Sequence, residues 1–503
     1  MADQSTPSHL LILDIDGLRQ DFFSLGLREN RIPNLAFLLG SQAIHLKVVC
    51  PAPSITFSSQ TSIFTGQHPD QHGIAGNQFF DRFGTRNAGV PRLYAFDIGD
   101  TLAVDDAVSV FSGPVGLLGQ ILPPEIPTLY EIAGRYGWTS TVVYHMLSRG
   151  THAWIRPNLV ELARFIKGGG LLGLSAEQFD AEMMDQVLSH LFADGCPNLL
   201  TVYFMGLDHH SHQYGPYSQL DYLCRVVEPQ VGRLLKEFQS NRWLEDILVV
   251  IVSDHGHIQV VPDDRHSLRL GFPFDREMGY LFDKLGLDVH DLPGEGPACQ
   301  AVVACNGGLA HVYLQNRMGR WQDPPRFQED VLPVAAAFWE ANRSGRYSMD
   351  LLGALSLVLA RNAEQTDWQA PYQVFDPQAS APGDTAWVPL PHYLDSRPNP
   401  EMVEAVNRLD RLAGPHSGDL LLVSNYRDGF YFGAPIASTH GGLHPEESWP
   451  VLSIGWPGAS SEQVERLRSV IFQVTQQRQN AEGRKFASLV DLVPVLQAFF
   501  NWK

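Results

Sequence analysis

The chain has 503 residues, 44 % of them hydrophobic and 18 % charged, which is the make-up of a soluble globular protein, and it is long enough that one large α/β domain with insertions, or two domains, is expected. A formal net charge of -19, with no Lys/Arg cluster, excludes a nucleic-acid polymer or an anionic membrane surface as partner; a small phosphorylated substrate stays open if metal ions supply local positive charge. The 5 cysteines are scattered and lack a Cys-x-x-Cys pair, so they form neither a disulfide framework nor a thiolate zinc site and read as buried thiols.

The N-terminus "MADQSTPSHLLIL" has no basic region before its first apolar run, and no segment reaches the length of a membrane span. Taken as written, the sequence reads as soluble and cytoplasmic, with an export signal removed by processing as the alternative. The first strand, in "HLLILDIDGLRQDFF" (9 to 23), ends in Asp14-x-Asp16-Gly17. Such an ending suits two phosphate chemistries, one with the first carboxylate as nucleophile, as in haloacid-dehalogenase-type phosphatases, and one with a carboxylate as metal ligand. Next, "PAPSITFSSQTSIFTGQHPDQHGIAGNQFFD" (51 to 81) approaches Thr56 in a Pro-broken extended form, and the residues after it are expected to form a helix closed by Gly66. "TLYEIAGRYG" (128 to 137) reads as a helix stopped by Gly137, and "LSAEQFDAEMMDQVLSHLFADG" (174 to 195) as one running from a Ser cap to Gly195.

Strands are expected at "TSTVVY" (139 to 144), "NLLTVYF" (198 to 204) and "DILVVIVS" (246 to 253). Their continuous apolar character, alternating with helices, is that of a buried parallel sheet. From about 258 to 435 the pattern is irregular. There "CNGGLAHVYL" (305 to 314) and "DLLLVSNY" (419 to 426) read as strands, and the Pro/Ala-dense residues 368 to 400 as a long loop. The chain then returns with "WPVLSIG" (449 to 455) and an apolar closing helix (488 to 500). The expected division is a catalytic core at 1–257, an inserted cap region at 258–435, and the core's return at 436–503.

Three segments place carboxylates and imidazoles directly after these strands, the edge at which open α/β sheets assemble their sites. "YFMGLDHHSHQYGP" supplies Asp208 and His212, "VIVSDHGH" supplies Asp254 and His255, and "ASTHGGLHPEE" supplies His440. With Asp16 these are three carboxylates and three imidazoles, a donor set for two divalent ions of the zinc or manganese type, zinc first. Calcium or magnesium favours oxygen-only shells. The dehalogenase reading lacks its later lysine and terminal acidic pair, so Asp16 is taken as the ligand and Asp14 as a hydrogen-bonded strand-end residue. A hydroxyl at Thr56 would sit on the positive end of a helix dipole, beside amides suited to phosphate oxygens, and a nearby metal would lower its pKa. His68 and His72, four apart in a Pro/Gly-rich turn, read as packing residues, and His209 and His210 as rim residues.

Taken together, "DG…TFSSQTSIFTGQHPDQHGIAGN…DHHSHQYGP…SDHG…THGG" resembles the alkaline phosphatase superfamily, most closely its type I phosphodiesterase/nucleotide pyrophosphatase branch, across nearly the whole chain. The matching positions in the nucleophile segment are Thr56, Phe57, Ser62, Thr65, Gly66, His72, Gly73, Ile74 and Asn77. The resemblance implies an alkaline-phosphatase-like α/β three-layer sandwich with a central, mostly parallel sheet and an inserted cap. It implies one metal ion held by Asp16, Thr56, Asp254 and His255, and a second by Asp208, His212 and His440. It further implies that Thr56 attacks phosphorus to give a phospho-threonine, that Asn77 holds a nonbridging oxygen, and that Phe57 contacts substrate. Nucleotide-cleaving members carry a Trp-Pro-Gly stretch where this chain reads "HMLSRGTHAW" (145 to 154), so only Phe57 of their base-stacking pair is matched. "HGIAGNQFFD" (72 to 81) also resembles phosphonoacetate hydrolase, whose substrate-binding lysines find no match on this chain, and "HGGLHPEE" is also similar to cofactor-independent phosphoglycerate mutases, which use serine. Phosphodiester or pyrophosphate cleavage is therefore the first expectation, phosphonate or phosphomonoester hydrolysis the second, and a non-enzymatic scaffold the third.

Overall fold

A computed structural model of the chain describes residues 6–96, 104–167, 173–270, 277–290, 294–295, 298–365, 368–378 and 386–502. Strands of the two large sheets are, in chain order, first β1 (His9–Ile15), β2 (Ile44–His45), β3 (Ser140–Val143), β4 (Ala153–Ile155), β5 (Leu199–Phe204) and β6 (Ile247–Val252). Seven more follow, β7 (Val289–His290), β8 (Ala301–Asn306), β9 (Leu309–Leu314), β10 (Leu355–Ala360), β11 (Gln373–Phe375), β12 (Trp387–Pro389) and β13 (Leu420–Ser424), before β14 (Leu452–Gly455).

The first sheet runs in the order β2-β14-β6-β1-β5-β3-β4. Its five strands from β6 to β4 are mutually parallel, and β14 pairs antiparallel with β6. β1 lies between β5 and β6 with Asp14 in register with Tyr203 on one side and Val252 on the other. Leu10 to Leu13 are buried on both faces of the sheet, each side chain stabilising the fold by roughly 1.5–3 kcal/mol. Because β1, β5 and β6 are parallel, the residues that follow them emerge at one edge, and antiparallel β14 brings the segment that precedes it to that same edge.

The helices that matter for this edge are α1 (Thr56–Thr65), α2 (Leu129–Arg135), α3 (Ala176–Asp194) and α4 (Gly206–Tyr214), followed by α5 (Leu332–Ser344), α6 (Ser461–Glu482) and α7 (Leu492–Phe500). Thr128 and Ser175 cap α2 and α3 in capping boxes with Glu131 and Gln178, as the Ser/Thr-x-x-Glu/Gln spacing requires. Every residue of α1 is buried although 7 of its 10 residues are polar. Thr61 and Thr65 return their hydroxyls to the carbonyls of Phe57 (2.7 Å) and Thr61 (2.6 Å), and Ser62 Oγ meets His72 Nε2 at 2.9 Å. Thr56 is the first helical residue, one position inside the cap expected for it; the cap is Ile55, and Gly66 closes the helix in the left-handed conformation.

The stretch that reads as irregular holds a second sheet, in the order β7-β8-β9-β13-β10-β11-β12. Only β7 and β8 are parallel; every other neighbour pair is antiparallel. The expected strand at 305 to 314 is the end of β8, the Gly307-Gly308 turn and β9, with Asn306 paired to Leu309 across that turn. The expected loop at 368 to 400 contains β11, β12 and a helix at Leu390–Ser396, while its residues 379–385 lie outside the described ones. Among the described residues no helix is long and apolar enough to cross a membrane.

Candidate active site

Asp16 follows β1, Asp208 and His212 lie on α4 just after β5, Asp254 and His255 follow β6, and His440 stands before β14. The fold brings all six together with Thr56. His212 Nε2 lies 3.4 Å from Asp208 Oδ2 and 3.2 Å from His440 Nε2, and His440 Nε2 lies 3.5 Å from Asp208 Oδ1. His255 Nε2 lies 3.5 Å from Asp16 Oδ1, 3.4 Å from Asp254 Oδ2 and 3.1 Å from Thr56 Oγ1.

Backbone carbonyls fix the tautomer of each of these imidazoles. Nδ1 of His212 donates to the Ser438 carbonyl (2.8 Å), Nδ1 of His255 to the Gly256 carbonyl (3.1 Å) and Nδ1 of His440 to the Ser54 carbonyl (3.2 Å). A carbonyl only accepts, so the proton sits on Nδ1 and each Nε2 presents a lone pair to the cluster. Two such lone pairs, on His212 and His440, face each other. The carboxylates behave likewise: Asp254 Oδ1 accepts from the N–H groups of Gly17 (3.1 Å) and His255 (3.0 Å), while Asp254 Oδ2 and Asp16 Oδ1 are buried with no hydrogen-bond donor. Burial, then the facing Asp254 and Asp208 carboxylates, push the Asp16 carboxyl well above its ordinary range. Burial also acts on Asp208, but His212 and His257 outweigh it and hold that carboxyl well below the ordinary range. Converging lone pairs and donor-less carboxylate oxygens are stabilised together by cations, and oxygen and imidazole donors in this mixture suit zinc-type ions.

Asn77, just before the short strand Gln78–Asp81, uses its Oδ1 to accept the N–H of Phe57, the residue after Thr56, at 2.9 Å. Phe57 is buried, its ring tilted 34° against Phe96 at a centroid distance of 4.6 Å. The segment after β3 turns inward: His145 Nε2 meets Gln60 Oε1 at 3.0 Å, and Met146 and Leu147 are buried. His68 and His72 stay out of the cluster, bonded to Glu482 and Ser62. His209 packs on Phe165, and His210 lies between Tyr214 and Tyr222. Asp14, at the end of β1, is fully buried next to Gln60, with His145 Nε2 3.7 Å from its Oδ2. Burial and then Asp254 raise that carboxyl well above its ordinary range, against a hydrogen bond from Gln60.

Two residues of the site were not anticipated. Tyr203 on β5 donates its hydroxyl to Asp16 Oδ2, and its only sequence signal is its place in the strand that pairs with β1. His257, two positions past His255, has Nε2 at 2.7 Å from Asp208 Oδ1 and Nδ1 at 3.1 Å from Ser438 Oγ. The 2.7 Å separation is that of a hydrogen bond that orients the Asp208 carboxylate, and His257 also stands with Asp208, His255 and His440 in a group whose donor atoms, all within 4.8 Å of one another, could hold a metal ion. Gly17 makes room for it. With φ at +70°, a Cβ there would stand 2.6 Å from His257 Nε2.

Residues 10–337 match the family model described as type I phosphodiesterase / nucleotide pyrophosphatase. An uncharacterized pyrophosphatase/phosphodiesterase of Schizosaccharomyces pombe is 24 % identical over 253 residues, which is 50 % of this chain and 44 % of that relative, so the match spans less than half the curated relative's length. Among solved structures, murine ectonucleotide pyrophosphatase / phosphodiesterase 5, an inactive variant in complex with AMP, superposes with a TM-score of 0.56 at 13 % identity, over 98 % of this chain and 95 % of that one. The human form of that protein gives 0.55 at 14 % identity over the same shares of the two chains. The fold is thus the mixed α/β fold of these structures, with its large, mostly parallel central sheet. With its family model matched over residues 10–337, the chain belongs to the type I phosphodiesterase / nucleotide pyrophosphatase family.

Proposed function

We propose that this chain hydrolyses phosphodiester or pyrophosphate bonds in a small phosphorylated substrate, with two divalent ions of the zinc type and Thr56 as nucleophile. The observation that carries this reading is the position of Thr56 Oγ1, at the first residue of α1 and 3.1 Å from His255 Nε2, on the border of a cluster of lone pairs and carboxylates. Asp16, Thr56, Asp254 and His255 would hold one ion, and Asp208, His212 and His440 the other. When bound, the ions supply positive charge that lowers the pKa of the threonine hydroxyl and of a water, and that offsets charge on the leaving oxygen.

Thr56 Oγ attacks in line, forming the Oγ–P bond as the bond from phosphorus to the leaving oxygen breaks. Asn77 Nδ2, aimed by the bond from Phe57 N–H to Asn77 Oδ1, donates to a nonbridging oxygen, where negative charge grows in the transition state. The N-terminal amides of α1 add partial positive charge at the same place. In the second step a water oxygen takes the place of Thr56 Oγ on phosphorus and the threonine hydroxyl is restored. Asp254 is preset for its role by two backbone N–H groups, and Asp16 by the Tyr203 hydroxyl.

Hydrolysis of bis-p-nitrophenyl phosphate by zinc-loaded protein, set beside p-nitrophenyl phosphate and phosphonoacetate, tests the reading. Faster cleavage of the diester is expected. A clear preference for the monoester or for the phosphonate would replace the diesterase reading with that activity.

A further inference from the structure

The second sheet sends one element into the active site. It is the tip of the β8–β9 hairpin, Asn306-Gly307-Gly308, lodged between the loop that carries Asn77 and the loop that carries His440. Asn306 is 1 % exposed, and its side-chain amide pairs with the backbone of Gln78 in both directions: Oδ1 accepts the Gln78 N–H at 3.0 Å and Nδ2 donates to the Gln78 carbonyl at 2.9 Å. The Gln78 side chain replies by accepting the Cys305 N–H at 3.2 Å. On the other side, Gly308 N–H donates to the His440 carbonyl at 2.8 Å. At Gly307, where φ is +61°, a Cβ would lie 1.8 Å from that same oxygen, so this approach requires glycine.

An asparagine that copies a strand's hydrogen-bonding edge holds the peptide it pairs with at fixed position and orientation. The peptide in question is that of Gln78, the residue next to Asn77. The Asn77 side chain has only one protein bond of its own among those described above, to Phe57 N–H, and that bond tolerates rotation about the axis joining the two atoms. The backbone narrows that freedom from both sides, the Asn77 carbonyl accepting the Phe96 N–H at 2.9 Å and the Gln78 peptide being held by Asn306. We infer that Asn306 is a positioning residue for Asn77, aiming its Nδ2 at the phosphoryl group, so that the second sheet takes part in building the transition-state site. This rests on the phosphohydrolase reading given above.

The test is a double-substitution cycle with Asn306→Ala and Asn77→Ala in the zinc-loaded full chain, read in two ways: kcat and KM for bis-p-nitrophenyl phosphate, and affinity for inorganic phosphate by calorimetry. Asn306→Ala is expected to lower kcat about tenfold or more, because small misplacements of a transition-state donor are costly, while KM moves by less than about threefold. In the Asn77→Ala background the same change should lower kcat by less than about twofold, and phosphate affinity should follow the same non-additive pattern. A single variant within about twofold of wild type, or losses that multiply in the double variant, would overturn the inference. Where Asn306→Ala does not fold, Asn306→Asp keeps the acceptor for Gln78 N–H, loses the donor to its carbonyl, and is read by the same criteria. If wild-type protein turns over none of the substrates, the phosphohydrolase reading fails, and the phosphate arm still decides whether Asn306 acts through Asn77.

Discussion

Asp180 stands at the head of the helix that carries Asp208 and His212. It projects from α3, is fully buried, and accepts the N–H of Gly206 at 3.1 Å and the hydroxyl of Tyr222 at 2.9 Å. Burial pushes its carboxyl from the ordinary 3.8 up to about 7, against those two hydrogen bonds. The folded state therefore ionises later than the unfolded one, so this group's contribution to stability is intact below about pH 4, falls as pH rises towards 7, and is level above. At 1.36 kcal/mol per pH unit, the stretch from pH 5 to pH 8 costs the wild-type protein about 3 kcal/mol through this one group. Asp180→Asn keeps an oxygen for Gly206 N–H and an amide for the Tyr222 oxygen but cannot ionise. Urea unfolding of both proteins at pH 5 and pH 8 measures the difference, other titrating groups cancelling between them. The stability of the variant relative to wild type should grow by about 3 kcal/mol over that interval. A relative stability that stays constant within about 0.5 kcal/mol, or that moves the other way, would show that Asp180 is ionised in the folded protein at pH 5.

Thr56→Ala should abolish turnover while zinc content stays close to that of wild type, since three other donors remain around that position; unchanged turnover would remove the nucleophile assignment. Asn77→Ala should lower kcat about 100-fold with little effect on KM, as measured on the diester. His257→Gln, which still places an amide near Asp208, should recover zinc affinity lost in His257→Ala, where a loss of about 10- to 100-fold is expected by competition with a chelator. Equal affinities in His257→Ala and wild type would show that the 2.7 Å bond to Asp208 is idle.

The parts of this molecule that could be read in advance are those whose physics is local. β1, β5 and β6 are buried on both faces, which leaves continuous apolar runs, and Asp16, Asp208, Asp254 and His255 stand within four positions of their ends. The cap Ser175 declared itself by its place at the head of a helical run, whereas the capping role of Thr128 was not read. The second sheet escaped because β11 and β12 are three residues each, too short for an alternating pattern, and because β8 and β9 join through Gly307-Gly308 without a polar break. Tyr203 and His257 escaped for another reason: each acts through one long-range hydrogen bond to a carboxylate, and a single Tyr or His in an apolar segment carries no mark of its partner.

Diffraction from zinc-loaded crystals at the zinc absorption edge reports where the cations sit without reference to activity. Two anomalous peaks are expected, one about 2 Å from donors of Asp16, Asp254 and His255 with Thr56 Oγ turned to it, the other about 2 Å from donors of Asp208, His212 and His440. Peaks on other side chains, or a peak pair with Thr56 Oγ beyond reach of both, would contradict the assignment of this cluster as the catalytic centre.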